Sequence, residues 1–276
     1  MTGITCKRIY RFGQEYGEFK VRVRRMLGEY LGPPNPVVVF NDADRSIAFL
    51  TERLVPAAST KRPLVMLLFS NPHPLSIRQG MFLSPNRRNR ENPFWSAMKE
   101  AGWLEIAEEK PTPERLANIC LKASYKGPFT LAFYCYYAFP TDSPRDIRMI
   151  FGEKYFSERI EPEASGEFRQ SVEQSYASAV VTFNKEIFNL VSGHQIRRYV
   201  DDLKKGRLIQ GQIKGIVRDI PVFLTYPTGW RYDTNYMQLR KASLDEIRIA
   251  ISSKVDTPDT EGNPSETHQR IRRTRP

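Results

Sequence analysis

Residues 64–82, LVMLLFSNPHPLSIRQGMF, carry an apolar run straight into Ser70-Asn71-Pro72-His73. An asparagine takes up a proton poorly, but its side-chain carbonyl can hold and orient a water molecule. Pro72 stiffens the backbone next to it, so the amide keeps one position. Phe82, a few residues on, offers a face on which a flat ring can stack. A second set of such groups lies far along the chain, in Tyr226-Pro227-Thr228-Gly229-Trp230-Arg231. Between the two, Arg78, Arg87, Arg88 and Arg90 form a basic cluster of the kind that meets phosphate oxygens. Water placement, ring stacking and phosphate contact are the chemistries these residue types offer.

The elements that must position them follow from the apolar pattern. Pro63–Phe69, Phe129–Phe139, Ala177–Phe183 and Pro221–Tyr226 are continuous apolar or aromatic runs, the mark of strands buried on both faces. Helix signals lie between them. Asn92-Pro93 and Thr112-Pro113 each place a capping residue before a proline at the first helical position, and Asn184 and Gly193 bracket KEIFNLVS. Strands alternating with helices predict a parallel sheet with right-handed crossovers. In such sheets a ligand lies beyond the carboxyl ends of the strands. The residues leaving those ends are Ser70-Asn71-Pro72-His73, Pro140-Thr141-Asp142, Asn184, and the segment from Tyr226. Asn184 is expected only to cap its helix.

The predicted fold is a three-layer α/β/α sandwich around a short, mainly parallel four-stranded sheet, occupying residues 61–255. Residues 1–60 are expected to be a basic, helical extension packed on it, with helices over Phe19–Leu31 and Arg45–Leu54 (RSIAFLTERL). Residues 144–176 form a charged insertion expected to hold one amphipathic helix. Residues 256–276, ending HQRIRRTRP, are polar and basic and are predicted to be disordered.

Composition narrows the function classes. The chain has 276 residues, with Lys+Arg 42 against Asp+Glu 31, a formal net charge of +11. That field attracts polyanions, and nucleic acid is the natural one. Three cysteines, Cys6, Cys120 and Cys135, odd in number and without CxxC spacing, suggest neither a disulfide framework nor a tetrahedral metal site, and three are too few for a four-cysteine cluster within one chain. No apolar stretch approaches the roughly 20 residues of a bilayer span, and no basic-then-apolar leader follows Met1. A soluble intracellular protein is expected, cytoplasmic and nucleoid-associated or nuclear, and not secreted.

Taken together, SNPHPLSIRQGMF, RNRENPFWSAMKEAGW and TYPTGWRY resemble the uracil-DNA glycosylase superfamily, in particular its mismatch-specific and single-strand-selective branches. Asn71-Pro72, Ser76, Gly80, Phe82 and Phe94-Trp95 match the first motif in order, and Tyr226-Pro227-Thr228-Gly229-Trp230 matches the second. The resemblance spans roughly residues 63–235. It departs from the family pattern at three places. Phe69-Ser70 replaces a leading glycine, Tyr226 stands where histidine or asparagine is usual, and Tyr136-Tyr137-Ala138-Phe139 replaces a strand exit bearing a base-reading asparagine.

The resemblance implies a DNA base-excision glycosylase that hydrolyses the N-glycosidic bond of a flipped uracil or other damaged or deaminated base. Asn71 would position the water, and backbone N–H groups near Ser70 would meet a base carbonyl. Phe82 would stack on the base, with His73 screening its 5-position and Tyr226 and Thr228 touching the base or a flanking phosphate. Trp230 would fill the gap left by the flipped base, stacking that is worth about 1–3 kcal/mol. Gly229 lies in the same loop, Arg231 would grip phosphate or the unpaired base, and Arg78, Arg87, Arg88 and Arg90 would meet DNA phosphates. No metal or cofactor is expected, and the partner is damaged or mismatched DNA, duplex or single-stranded, bound by a monomer away from membranes. Two other readings fit the residues: a catalytically silent DNA-binding protein on the same scaffold, and a small-nucleotide hydrolase.

Overall fold

Continuous apolar strands have no polar face to leave in water, so they fold only where both faces are covered. In a computed structural model, which describes residues 4–33, 35–56, 60–85, 91–228 and 234–255, they lie at the centre of a helix-flanked sheet. The strands are β1 (Thr5–Arg11), β2 (Val38–Asn41), β3 (Ser46–Leu54), β4 (Leu64–Phe69), β5 (Thr130–Cys135), β6 (Ala179–Thr182), β7 (Ile209–Gln212) and β8 (Pro221–Leu224). The helices are α1 (Tyr16–Leu27), α2 (Pro74–Gln79), α3 (Pro93–Glu100), α4 (Pro113–Leu121), α5 (Pro144–Phe151), α6 (Glu153–Tyr155), α7 (Glu161–Gln174), α8 (Lys185–Ser192), α9 (Val200–Lys204) and α10 (Thr234–Val255).

Strand order is β1-β3-β5-β4-β6-β8-β7, with β2 paired to β3. The four anticipated strands, β5-β4-β6-β8, are parallel and adjacent. The sheet is nonetheless mixed and eight-stranded, which corrects the four-stranded expectation. β1, β2 and β3 extend it antiparallel on one side and β7 on the other. Arg45–Leu54 is therefore a strand and not a helix, because pairing with β1, β2 and β5 overrides its helical spacing. α1 does form, overlapping the predicted Phe19–Leu31 helix but starting earlier, at Tyr16, and ending at Leu27. Residues 144–176 hold not one helix but a succession, α5, α6 and α7, joined by a π-turn at Phe156–Ile160. Residues 256–276 lie outside the described residues.

Side-chain alternation along the strands separates two cores. Met66 and Leu68 point to one, packed under α1, α5, α7 and α8; Val65, Leu67 and Phe69 point to the other, under α3, α4 and α10. From β4 the chain crosses to β5 on one side and then returns past β4 to β6 on the other. The crossovers thus diverge at β4 and β6, and a crevice opens beyond their carboxyl ends. Among the described residues no helix is long and apolar enough to cross a membrane.

Candidate active site at the ends of the parallel strands

The crevice holds a cavity of about 310 Å³. Ser70, Asn71 and His73 from the β4 exit share its wall with Phe82, Thr141, Asn184 and Thr228, so all four parallel-strand exits converge there. Ser70, Asn71, His73 and Phe82 are thereby brought together with Thr228, far along the chain, and the turn at Asn71 shares the cavity wall with the segment at Pro227-Thr228.

Asn71 is half-buried and held in one orientation. Its Nδ2 donates to the Thr141 carbonyl at 2.6 Å and to Thr141 Oγ1 at 3.1 Å. A backbone carbonyl only accepts, so the amide nitrogen must face Thr141 and Oδ1 must face away. Oδ1 accepts the Ser70 hydroxyl at 3.1 Å, which leaves its second lone pair for a water. The Thr141 hydroxyl is fixed in turn by donating to the Ser143 carbonyl at 2.8 Å. Pro72 is buried behind this turn, its carbonyl accepting the Thr141 N–H at 3.2 Å.

His73 caps α2, its Nδ1 accepting the Leu75 N–H at 3.1 Å. That bond leaves the proton on Nε2, which lies 3.2 Å from Asp142 Oδ1. Both side chains are well exposed, so the contact orients the ring at the cavity mouth and adds little stability. At the other end of α2, Gly80 takes φ 74, the left-handed closure that returns the chain to Met81 and Phe82.

The apolar wall is aromatic. Phe69 and Phe183 stack with ring centroids 5.3 Å apart and 4° between planes, and Phe82 leans on Phe69 at 5.7 Å. Leu83, also on the wall, sits at φ 50, and its carbonyl accepts the Trp95 indole N–H at 3.1 Å, which helps hold this uncommon backbone. Two helices begin at the rim. Asn92 caps α3 and Asn184 caps α8, each Oδ1 accepting a backbone N–H at 3.0 Å. The positive ends of both helix dipoles therefore face the cavity.

Four features escaped sequence reasoning. Thr141 and Phe183 sit at strand exits that the sequence marks but does not assign a task. Glu52 of β3 reaches the cavity, buried, because β3 is a strand. Arg240 of α10 is buried and donates to the Pro227 carbonyl at 2.5 Å, anchoring the segment that carries Thr228, and no local signal identifies it.

Other expected site residues lie elsewhere. Tyr226 is fully buried in the core against Tyr236, ring centroids 5.1 Å apart, so it packs the fold and does not line the cavity. Arg78 donates to the Gly32 carbonyl at 3.1 Å and covers the Tyr30 ring, in a neighbouring groove. Arg87, Arg88, Arg90, Gly229, Trp230 and Arg231 lie outside the described residues. Among the described residues no group of three or more His, Cys, Asp and Glu side chains is placed to hold a metal ion. Compared with models of known families and with curated proteins, the chain matches none.

Proposed function

We propose that this protein is a DNA glycosylase that hydrolyses the N-glycosidic bond of a uracil or other damaged or deaminated base flipped out of DNA. The reading rests on the resemblance of its two motifs and, above all, on the Asn71 amide, held by Thr141 and Ser70 in the wall of an aromatic-lined cavity. At about 310 Å³ the cavity is at the small end of ligand sites and has room for a single base. The base slides against Phe82, Phe69 and Phe183, and the water on Asn71 Oδ1 adds to the sugar C1′ as the C1′–N bond breaks, its proton passing to solvent and the departed base anion taking one up from solvent. Negative charge passes to the departing base, towards the ends of α3 and α8. Asparagine is a weak proton acceptor, so a slow reaction follows. Trp230 fills the vacated stack, and the net charge of +11 draws the phosphate backbone.

The test is incubation with oligonucleotides carrying uracil, hypoxanthine, xanthine or a mismatch, followed by hot alkali. Strand scission at one of these bases is expected, and intact strands throughout would overturn the reading.

A further inference from the structure

The cavity has one polar group that the motifs leave without a task. Phe69 pairs with Cys135 across β4 and β5, and the antiparallel register of β3, continued one residue from Arg53↔Tyr134, sets Glu52 beside Cys135. Phe69, Cys135 and Glu52 thus form a row across three strands, all lining the cavity. Glu52 is 3% exposed, and its Oε1 is buried with no hydrogen-bond partner. A strand interior has no structural use for an unpaired acid, and leaving one there costs stability.

We propose that Glu52 reads the edge of the bound base, its carboxylic acid O–H donating to a base carbonyl while its own carbonyl oxygen accepts the neighbouring ring N–H. The chemical class is a nucleobase presenting one N–H donor beside one acceptor, as uracil and hypoxanthine do. This deepens the glycosylase reading and rests on it for the identity of the ligand. The acid form is the one required, because an ionised carboxylate only accepts and would repel a base carbonyl. Burial favours that form, pushing the Glu52 carboxyl well above its ordinary value, and the adjacent Cys135 thiol is likewise pushed up by burial. Glu52 also supplies, from a different strand, a polar contact at the site where Tyr136-Tyr137 carry no asparagine.

Calorimetric binding of 1-methyluracil, whose methyl group stands where the sugar attaches and whose one ring N–H is at N3, and of 1,3-dimethyluracil, which has no ring N–H, tests the proposal on the full chain. The wild type is expected to favour 1-methyluracil by about tenfold or more, the worth of one buried hydrogen bond. Glu52→Gln, which keeps a donor beside an acceptor, retains the preference, whereas Glu52→Leu binds both bases equally while its circular dichroism stays native. A wild type that fails to bind or fails to discriminate, or a Glu52→Leu variant that still discriminates, overturns the proposal. Base release from oligonucleotides, measured in parallel, judges the glycosylase reading separately: discrimination without release removes the enzyme and leaves Glu52 as the reader.

Discussion

Replacing Glu52 by glutamine changes one titratable group and little else, so the pH dependence of stability isolates it. Burial is the cause of its raised carboxyl pKa, and no partner charge offsets it. The folded protein therefore keeps a proton that the unfolded chain has released above the ordinary glutamate value of 4.5. The sign follows from that difference. The contribution of Glu52 to stability is fullest below pH 4.5 and declines as pH rises towards the folded value, by up to about 1.4 kcal/mol for each pH unit. Glutamine does not titrate, so the stability of Glu52→Gln relative to wild type rises with pH above 4.5, by up to that amount for each pH unit, until the folded carboxyl ionises. For a chain of this length about 1.4 kcal/mol corresponds to roughly 3–5 °C in Tm. Other raised carboxyls, such as the partly buried Glu163, are common to both proteins and cancel in the comparison. Urea denaturation of the two proteins at half-unit pH steps measures the divergence. Parallel curves from pH 4.5 to pH 7 would refute the reasoning, since they require Glu52 to ionise in the folded state as an exposed carboxylate does.

Three further substitutions probe the supports of the site. Asn71→Asp sets a carboxylate oxygen against the Thr141 carbonyl, now 2.6 Å from the amide nitrogen, so it is expected to destabilise by about 1–3 kcal/mol and to slow base release, as denaturant midpoints and single-turnover assays would record. Faster release by Asn71→Asp would show that the Thr141 contact does not constrain the group. Thr141→Val keeps the backbone acceptor but removes the hydroxyl, and the loss of its bonds with the Asn71 amide and the Ser143 carbonyl is expected to slow base release about fivefold or more with DNA affinity unchanged in a filter-binding assay. Arg240→Met removes the donor to the Pro227 carbonyl and is expected to cost about 1–3 kcal/mol in urea denaturation; a midpoint within error of wild type would discard the anchoring role.

Much of this site was legible in the sequence because its chemistry sits at strand ends. The apolar runs of β4, β5, β6 and β8 admit only burial on both faces, and Asn92, Thr112 and Asn184 cap helices in the structure as their types and spacing predict. The order of the strands was not legible. β3 is buried along both faces, so it lacks the alternation of a half-exposed strand, and its spacing reads as helical until β1 and β2 are known to pair with it. That one misreading hid Glu52, since a residue on a peripheral helix has no reason to enter the crevice. β7, Ile209–Gln212, is a short and mostly polar edge strand, below what a pattern reveals. Tyr226 marks the opposite limit: it follows the last residues of β8, and whether a tyrosine there turns inward or into the crevice is decided by α10, which supplies Tyr236 and Arg240.

The most direct measurement compares single-turnover base release by the wild type and Asn71→Ala on a cleavable oligonucleotide, with binding of the same oligonucleotide measured alongside. Loss of the oriented water is expected to slow release by about 100-fold or more, while affinity stays within a few-fold. Equal release rates for the two proteins would contradict the claim that this amide holds the attacking water.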